Sequence, residues 1–205
     1  TISVSNAGQY AVTITNSNGC SATVTTTVNV NPLPIVNFTP NDVCIGEPIN
    51  FQDISTVASG NIIDWFWDLG DGNVSQLQDP IHNYSSAGTF NVTLQVATAA
   101  GCSASVSKTV TVYPLPVPDF NFTGICQGQN VQFNNISTVG SGNINSWQWN
   151  FGDGNVSSQQ NPTHQFASSG TYNVSLVVAT AGGCIDSITK QVTIFSLPQA
   201  AFSGT

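Results

Sequence analysis

Residues 65–84, WFWDLGDGNVSQLQDPIHNY, place two aspartates among glycines, beside two tryptophans and just ahead of a histidine. The pattern suggests acid/base or metal chemistry. It returns at 147–166 as WQWNFGDGNVSSQQNPTHQF, a shift of 82 residues, and the second version tests the first. In a strand, alternate residues share a face. Trp65, Trp67 and Leu69 therefore lie together, as do Trp147, Trp149 and Phe151. Gly70-Asp71-Gly72 and Gly152-Asp153-Gly154 then reverse the chain, because Asp-Gly supplies the positive φ of tight hairpins. Asp71 and Asp153 are placed to accept from their own turn amides. Pro-x-His-x-Tyr/Phe reads as a return strand in which His82 and His164 hydrogen-bond backbone. Asn150 stands where Asp68 stood, so a catalytic set of Asp68, Asp71 and His82 is dispensable to the unit. No catalytic residue and no cofactor is expected.

The same shift relates ISTVASGNI at 54 to ISTVGSGNI at 136, and GTFNVTLQVATAAGC at 88 to GTYNVSLVVATAGGC at 170. Such self-similarity is the mark of a repeat architecture. The repeats run over 35–113 and 117–195, joined by short proline-bearing linkers at 32–34, 114–116 and 196–198. Residues 1–31 read as the last strands of a preceding domain, and 199–205 as the first strand of a following one. With no methionine, the sequence reads as an excerpt of a longer array. Apolar residues alternate with period two in stretches such as NVTLQVAT, and no segment has a helical period. The expected fold class is all-β: tandem antiparallel β-sandwiches placed end to end.

Composition excludes two partner classes. Lys108 and Lys190 are the only cationic side chains apart from histidine, and the net charge is −8. Nucleic acid binding needs clustered Lys or Arg to neutralise phosphate. No apolar run is long enough to insert as a membrane helix.

Taken together, W-x-W-D-x-G-D-G-N, P-x-H-x-Y/F and G-T-F/Y-x-V-x-L-x-V, in this order in both copies, resemble the PKD domain, an immunoglobulin-like sandwich. Asn150 and Phe166 depart from the pattern. The resemblance assigns Trp67 and Trp149 to the core between the sheets. The cysteines and PLP joints are similar to those of large Bacteroidetes-type surface proteins. That implies an extracellular or cell-surface stalk, adhesin shaft or filament that spaces binding regions. The alternatives are an accessory substrate-binding module of a secreted hydrolase, or a subunit that self-assembles by strand addition. The partners implied are neighbouring domains of the same array, then further copies, other surface proteins or glycans.

Two binding sites stay open at this point. Calcium is the metal that Asp71 or Asp153 would hold, with Asp64, Asn61 or Asn143 nearby in sequence, although calcium takes about six to eight oxygens. Phe66, which is Gln148 in the other copy, points away from the tryptophan face and is the candidate glycan contact. In the topology the resemblance implies, Cys44 precedes the second strand and Cys102 follows the sixth. These lie at opposite ends of a sandwich, about 17–20 Å apart, beyond the roughly 7 Å reach of a disulfide. That favours Cys44–Cys184 across the 114–116 linker, with Cys20, Cys102 and Cys126 paired outside this sequence. The within-domain pairing, Cys44–Cys102 and Cys126–Cys184, stays open beside it.

Overall fold

The structure is a computed structural model that describes residues 3, 4 and 6–199. The expected first strand of a following domain, 199–205, falls outside them apart from Gln199. The described residues form strands and turns without a helix. Valine and threonine dominate the long strands because branched side chains pack well on a pleated, half-buried surface.

The chain begins with an antiparallel hairpin of Gly8–Thr15 and Ser21–Val28, paired from Gly8↔Val28 to Thr15↔Ser21. In the first repeat, five strands lie in the order Val43–Cys44, Ser103–Tyr113, Gly88–Thr98, Ile62–Asp68, Val74–Ser75. Short pairs, Phe38–Thr39 with Gln52–Asp53 and Ile49–Asn50 with Ile81–His82, complete it. In the second repeat, Val156–Ser157, Ile144–Asn150, Gly170–Thr180 and Ile185–Ile194 form one sheet. Phe120–Thr123, Asn130–Asn135 and Thr163–Gln165 form another.

By compactness the chain divides into two units. One comprises the chain up to Thr39 with Phe51–Pro80 and Asn91–Lys108; the other comprises Pro40–Asn50, Ile81–Phe90 and everything from Thr109. The first buries Phe38, Phe51, Trp67, Leu69, Val92, Leu94 and Val96. In the second, Phe120, Val131 and Phe133 from the three-stranded sheet meet Trp149, Val174, Leu176, Val178, Val192 and Ile194 from the four-stranded sheet. Period-two alternation thus turns one face of each sheet inward.

Both cores centre on a tryptophan. Trp67 meets the edge of Phe38 at 5.1 Å, and Trp149 meets Phe120 at the same distance. Each indole N–H is satisfied by a carbonyl beyond the turn, Leu77 O or Gln159 O, both at 2.9 Å. A buried polar tip needs such a partner.

Candidate functional site

The Gly-Asp-Gly turn is built the same way twice. Gly70 and Gly152 have φ of 79°, in the left-handed region that favours glycine. A Cβ on either would lie 2.7 Å from a carbonyl oxygen, of Asn91 or Asn173. Asp68 Oδ1 accepts from the Gly70 amide and Asn150 Oδ1 from the Gly152 amide, each at 2.9 Å. The position needs one acceptor oxygen, and either side chain supplies it. Asp71 Oδ1 accepts from the Asn73 amide at 3.0 Å and Oδ2 from Asn73 Nδ2 at 2.9 Å. Asp153 Oδ1 accepts from the Asn155 amide at 3.1 Å.

The histidine differs from its sequence reading. His164 does not bond backbone through its ring; its Nε2 lies 2.7 Å from Asp153 Oδ2. The imidazole stacks on Phe151 at 4.2 Å and meets the edge of Phe166 at 4.6 Å. The reason is topological. Thr163–Gln165 is already laddered to Asn130–Asn135, with Val131↔His164, so the ring is left to brace the turn. His82, paired with Ile49 in its ladder, meets the edge of Tyr84 at 4.6 Å. Burial would raise the Asp153 pKa, but the bonds from His164 and Asn155 outweigh it and hold the carboxyl below 3.8.

This donor set does not fit calcium. The first turn offers Asp68 and Asp71 and the second only Asp153, all with oxygens already serving the turn, and no three His, Cys, Asp or Glu side chains gather among the described residues. No step is therefore assigned to a metal. Nor does the turn gather a base with a nucleophile, since Asp68 and Asp71 are occupied by amides. The turn fixes where the core strand ends.

Phe66 lies outward, 41% exposed, in a shallow groove lined by Asp64, Gln95, Ala97 and Ser103. Among the cysteines, Cys44 is bonded to Cys184 with their Cα atoms 5.6 Å apart. The within-domain pairs are not formed: Cys20, Cys102 and Cys126 are free. Cys44 sits at the end of a parallel pair, opposite Tyr113, whereas Cys102 closes the turn after Thr98.

Several anchoring residues escaped the sequence reading. Lys108 Nζ reaches Asn37 Oδ1 at 2.7 Å and Phe38 O at 2.5 Å. Lys190 Nζ reaches Asp119 Oδ1 at 2.5 Å and Phe120 O at 2.7 Å. Each ammonium lies 5.1 Å from the ring centre of that phenylalanine. The hydrogen bond from Lys190, with that from the Phe120 amide, holds the Asp119 carboxyl below its ordinary pKa. Their signal was in the sequence: the two lysines stand at equivalent positions of the repeat. Trp65 Nε1 donates to Asp53 Oδ2 at 2.7 Å, while the equivalent Trp147 Nε1 is buried without a partner.

Comparison with known proteins fits this geometry. The family described as "PKD domain" matches residues 29–113 and 114–195. Pre-pro-metalloprotease PrtV of Vibrio cholerae serotype O1 is 30% identical over 148 residues, covering 72% of this chain and 16% of that protein. A microbial collagenase of Vibrio alginolyticus is 42% identical over 72 residues, covering 35% of this chain and 9% of the collagenase. The chain thus corresponds to a small part of each. These relatives are Vibrio proteases and lend no support to the Bacteroidetes-type provenance. The eight N-terminal Ig domains of Down Syndrome Cell Adhesion Molecule superpose with a TM-score of 0.58 at 18% identity, covering 91% of this chain and 31% of that one. That likeness concerns the fold alone. With both repeats matched from end to end, the chain belongs to the PKD domain family.

Proposed function

We propose that the chain is a non-catalytic accessory region of a secreted protein, and that its PKD domains hold a neighbouring domain against a polymeric protein substrate. The observation that carries this reading is the 30% identity to a pre-pro-metalloprotease over 148 residues, a stretch longer than one repeat. The collagenase match points the same way. A pre-pro form is one that is exported and processed, and the Cys44–Cys184 disulfide suits the same oxidising compartment. Both support an extracellular location.

The contact surface of this proposal is the groove around Phe66. An exposed aromatic ring flanked by the Asp64 carboxylate and the Gln95 amide can stack on, and hydrogen-bond to, an extended polypeptide. The test is co-sedimentation of the full chain with insoluble collagen, with fibrin and glycan-coated beads alongside. We expect saturable depletion from the supernatant by collagen, weakened several-fold by Phe66→Ala. A chain that stays in solution with collagen and fibrin alike overturns the substrate-holding role. The disulfide that joins the two repeats favours a second reading, a spacing shaft. A chain that binds neither solid, yet lengthens under force only after reduction, would support it.

A further inference from the structure

The Cys44–Cys184 joint has a recognisable anatomy. Tyr113 lies opposite Cys44 in a parallel pair, and the Ile45 amide donates to Tyr113 O at 2.8 Å. The turn that ends in Cys184 lies on the Tyr113 ring: a Cβ on Gly182 would stand 2.7 Å from Tyr113 Cγ. Tyr113 and Cys44 are half-buried and Cys184 is buried. The cradle is thus an aromatic residue, a cysteine beside it and a backbone bond that locks the two. Its occupant is a glycine-rich turn carrying a cysteine.

The second domain repeats the cradle. Cys126 lies opposite Phe195 in a parallel bridge, and the Gln127 amide donates to Phe195 O at 2.9 Å. The Phe195 amide donates to Ile125 O at 2.8 Å. Here the face is open. Cys126 is exposed and free, Phe195 and Leu197 are each 57% exposed, and Ile125 is 37% exposed. In the formed joint, the occupying turn belongs to the domain that follows its cradle through Leu115-Pro116. Leu197-Pro198 stands in the equivalent place after Phe195.

We infer that the Cys126 corner is a docking site for the Gly-Gly-Cys turn of a further PKD-type repeat, carried in cis beyond Pro198 and closed by a disulfide to Cys126. The inference is independent of what the Phe66 groove binds. Bond formation removes two protons and two electrons from the thiols. A disulfide oxidant such as oxidised glutathione takes them up and leaves as two thiols. The partner is selected by shape: with an aromatic ring under the turn, a residue larger than glycine at the Gly182 position collides with it.

The test extends the full chain after Pro198 by another copy of residues 117–198, matures it in a glutathione redox buffer, and traps remaining thiols with iodoacetamide. Peptide mapping then locates every bond, with Cys44–Cys184 as the internal control. We expect Cys126 bonded to the cysteine of the appended Gly-Gly-Cys turn, with no increase in free thiols over the 205-residue chain. Valine at the appended glycine equivalent to Gly182 should lower the bonded fraction several-fold. Recovery of Cys126 alkylated while Cys44–Cys184 is intact overturns the proposal. So does a Cys126 bond between two copies of the chain.

Discussion

The two PKD domains keep the same anchors but distribute their carboxylates differently. In the first, a carboxylate sits at the half-buried indole, Asp53 on Trp65, and the lysine takes a neutral amide, Asn37. In the second the arrangement is reversed: Asp119 takes Lys190, and Asn135, the counterpart of Asp53, turns its Oδ1 to Ser137. Trp147 is left without an acceptor. At the turn, Asp68 and Asn150 do the same work with and without charge. The fold therefore constrains where an acceptor oxygen stands, and leaves open where the negative charge sits. That is why an acidic-looking motif can persist without chemistry.

The largest effects are expected at the core tryptophans. Trp67 and Trp149 share two equivalent phenylalanine neighbours and the same N–H partner type, so Trp67→Ala and Trp149→Ala should each cost about 3–5 kcal/mol of their own domain's stability. Urea unfolding of the full chain, followed by the fluorescence of the remaining tryptophans, measures this. Losses that differ widely between the two variants would show that the cores are not equivalent.

Exchanging the indole partners should carry the difference from one domain to the other. Asp53→Asn should cost about 1–3 kcal/mol, since an amide serving Ser55 with its oxygen turns an N–H group toward the Trp65 N–H. Asn135→Asp should gain about 1 kcal/mol by giving Trp147 an acceptor. The indole N–H resonances of Trp65 and Trp147 report each change directly. A Trp147 signal unmoved by Asn135→Asp rules out the exchange.

Acid should loosen the carboxylate anchors of the second domain. Asp119 and Asp153, both in the second domain, have native pKa values below 3.8. A carboxylate with a depressed native pKa contributes stability in full above its unfolded value and loses it as pH falls through the native one. The second domain should therefore keep its Lys190 and His164 anchors through mild acid and lose them as pH falls through the lowered native values. NMR titration of the side-chain signals of both aspartates checks this; midpoints above 3.8 contradict it.

The fold was legible because repetition and period-two patterning are long-range, redundant signals. The turn was legible because Gly-Asp-Gly has few alternative conformations. His164 was misassigned because sequence spacing gives its strand, while the direction of its ring depends on Asp153 in a turn of the other sheet. Lys108 and Lys190 entered the sequence reading only through the net charge. Their stems run back over Phe38 and Phe120, which stand on strands of another sheet, about 70 residues earlier in the chain. Asp53 was invisible for a similar reason: nothing local links it to Trp65, twelve residues on.

The smallest expected effect tests the central claim most directly. If the position before the Leu69/Phe151 turn needs only an acceptor, Asp68→Asn should change stability by less than about 0.5 kcal/mol, as surface changes that keep their bonds do. Asp68→Ala removes the acceptor and exposes the Gly70 amide at a turn that Gly70's close approach to Asn91 holds rigid. Its cost should be about 1 kcal/mol, the net value of a hydrogen bond. The same pair at Asn150, Asn→Asp and Asn→Ala, should give matching values. Were Asp68→Asn as harmful as Asp68→Ala, the charge itself would matter in the first domain. The equivalence drawn from Asn150 would then fail, and a role for the Asp68 carboxylate beyond the turn would have to be sought.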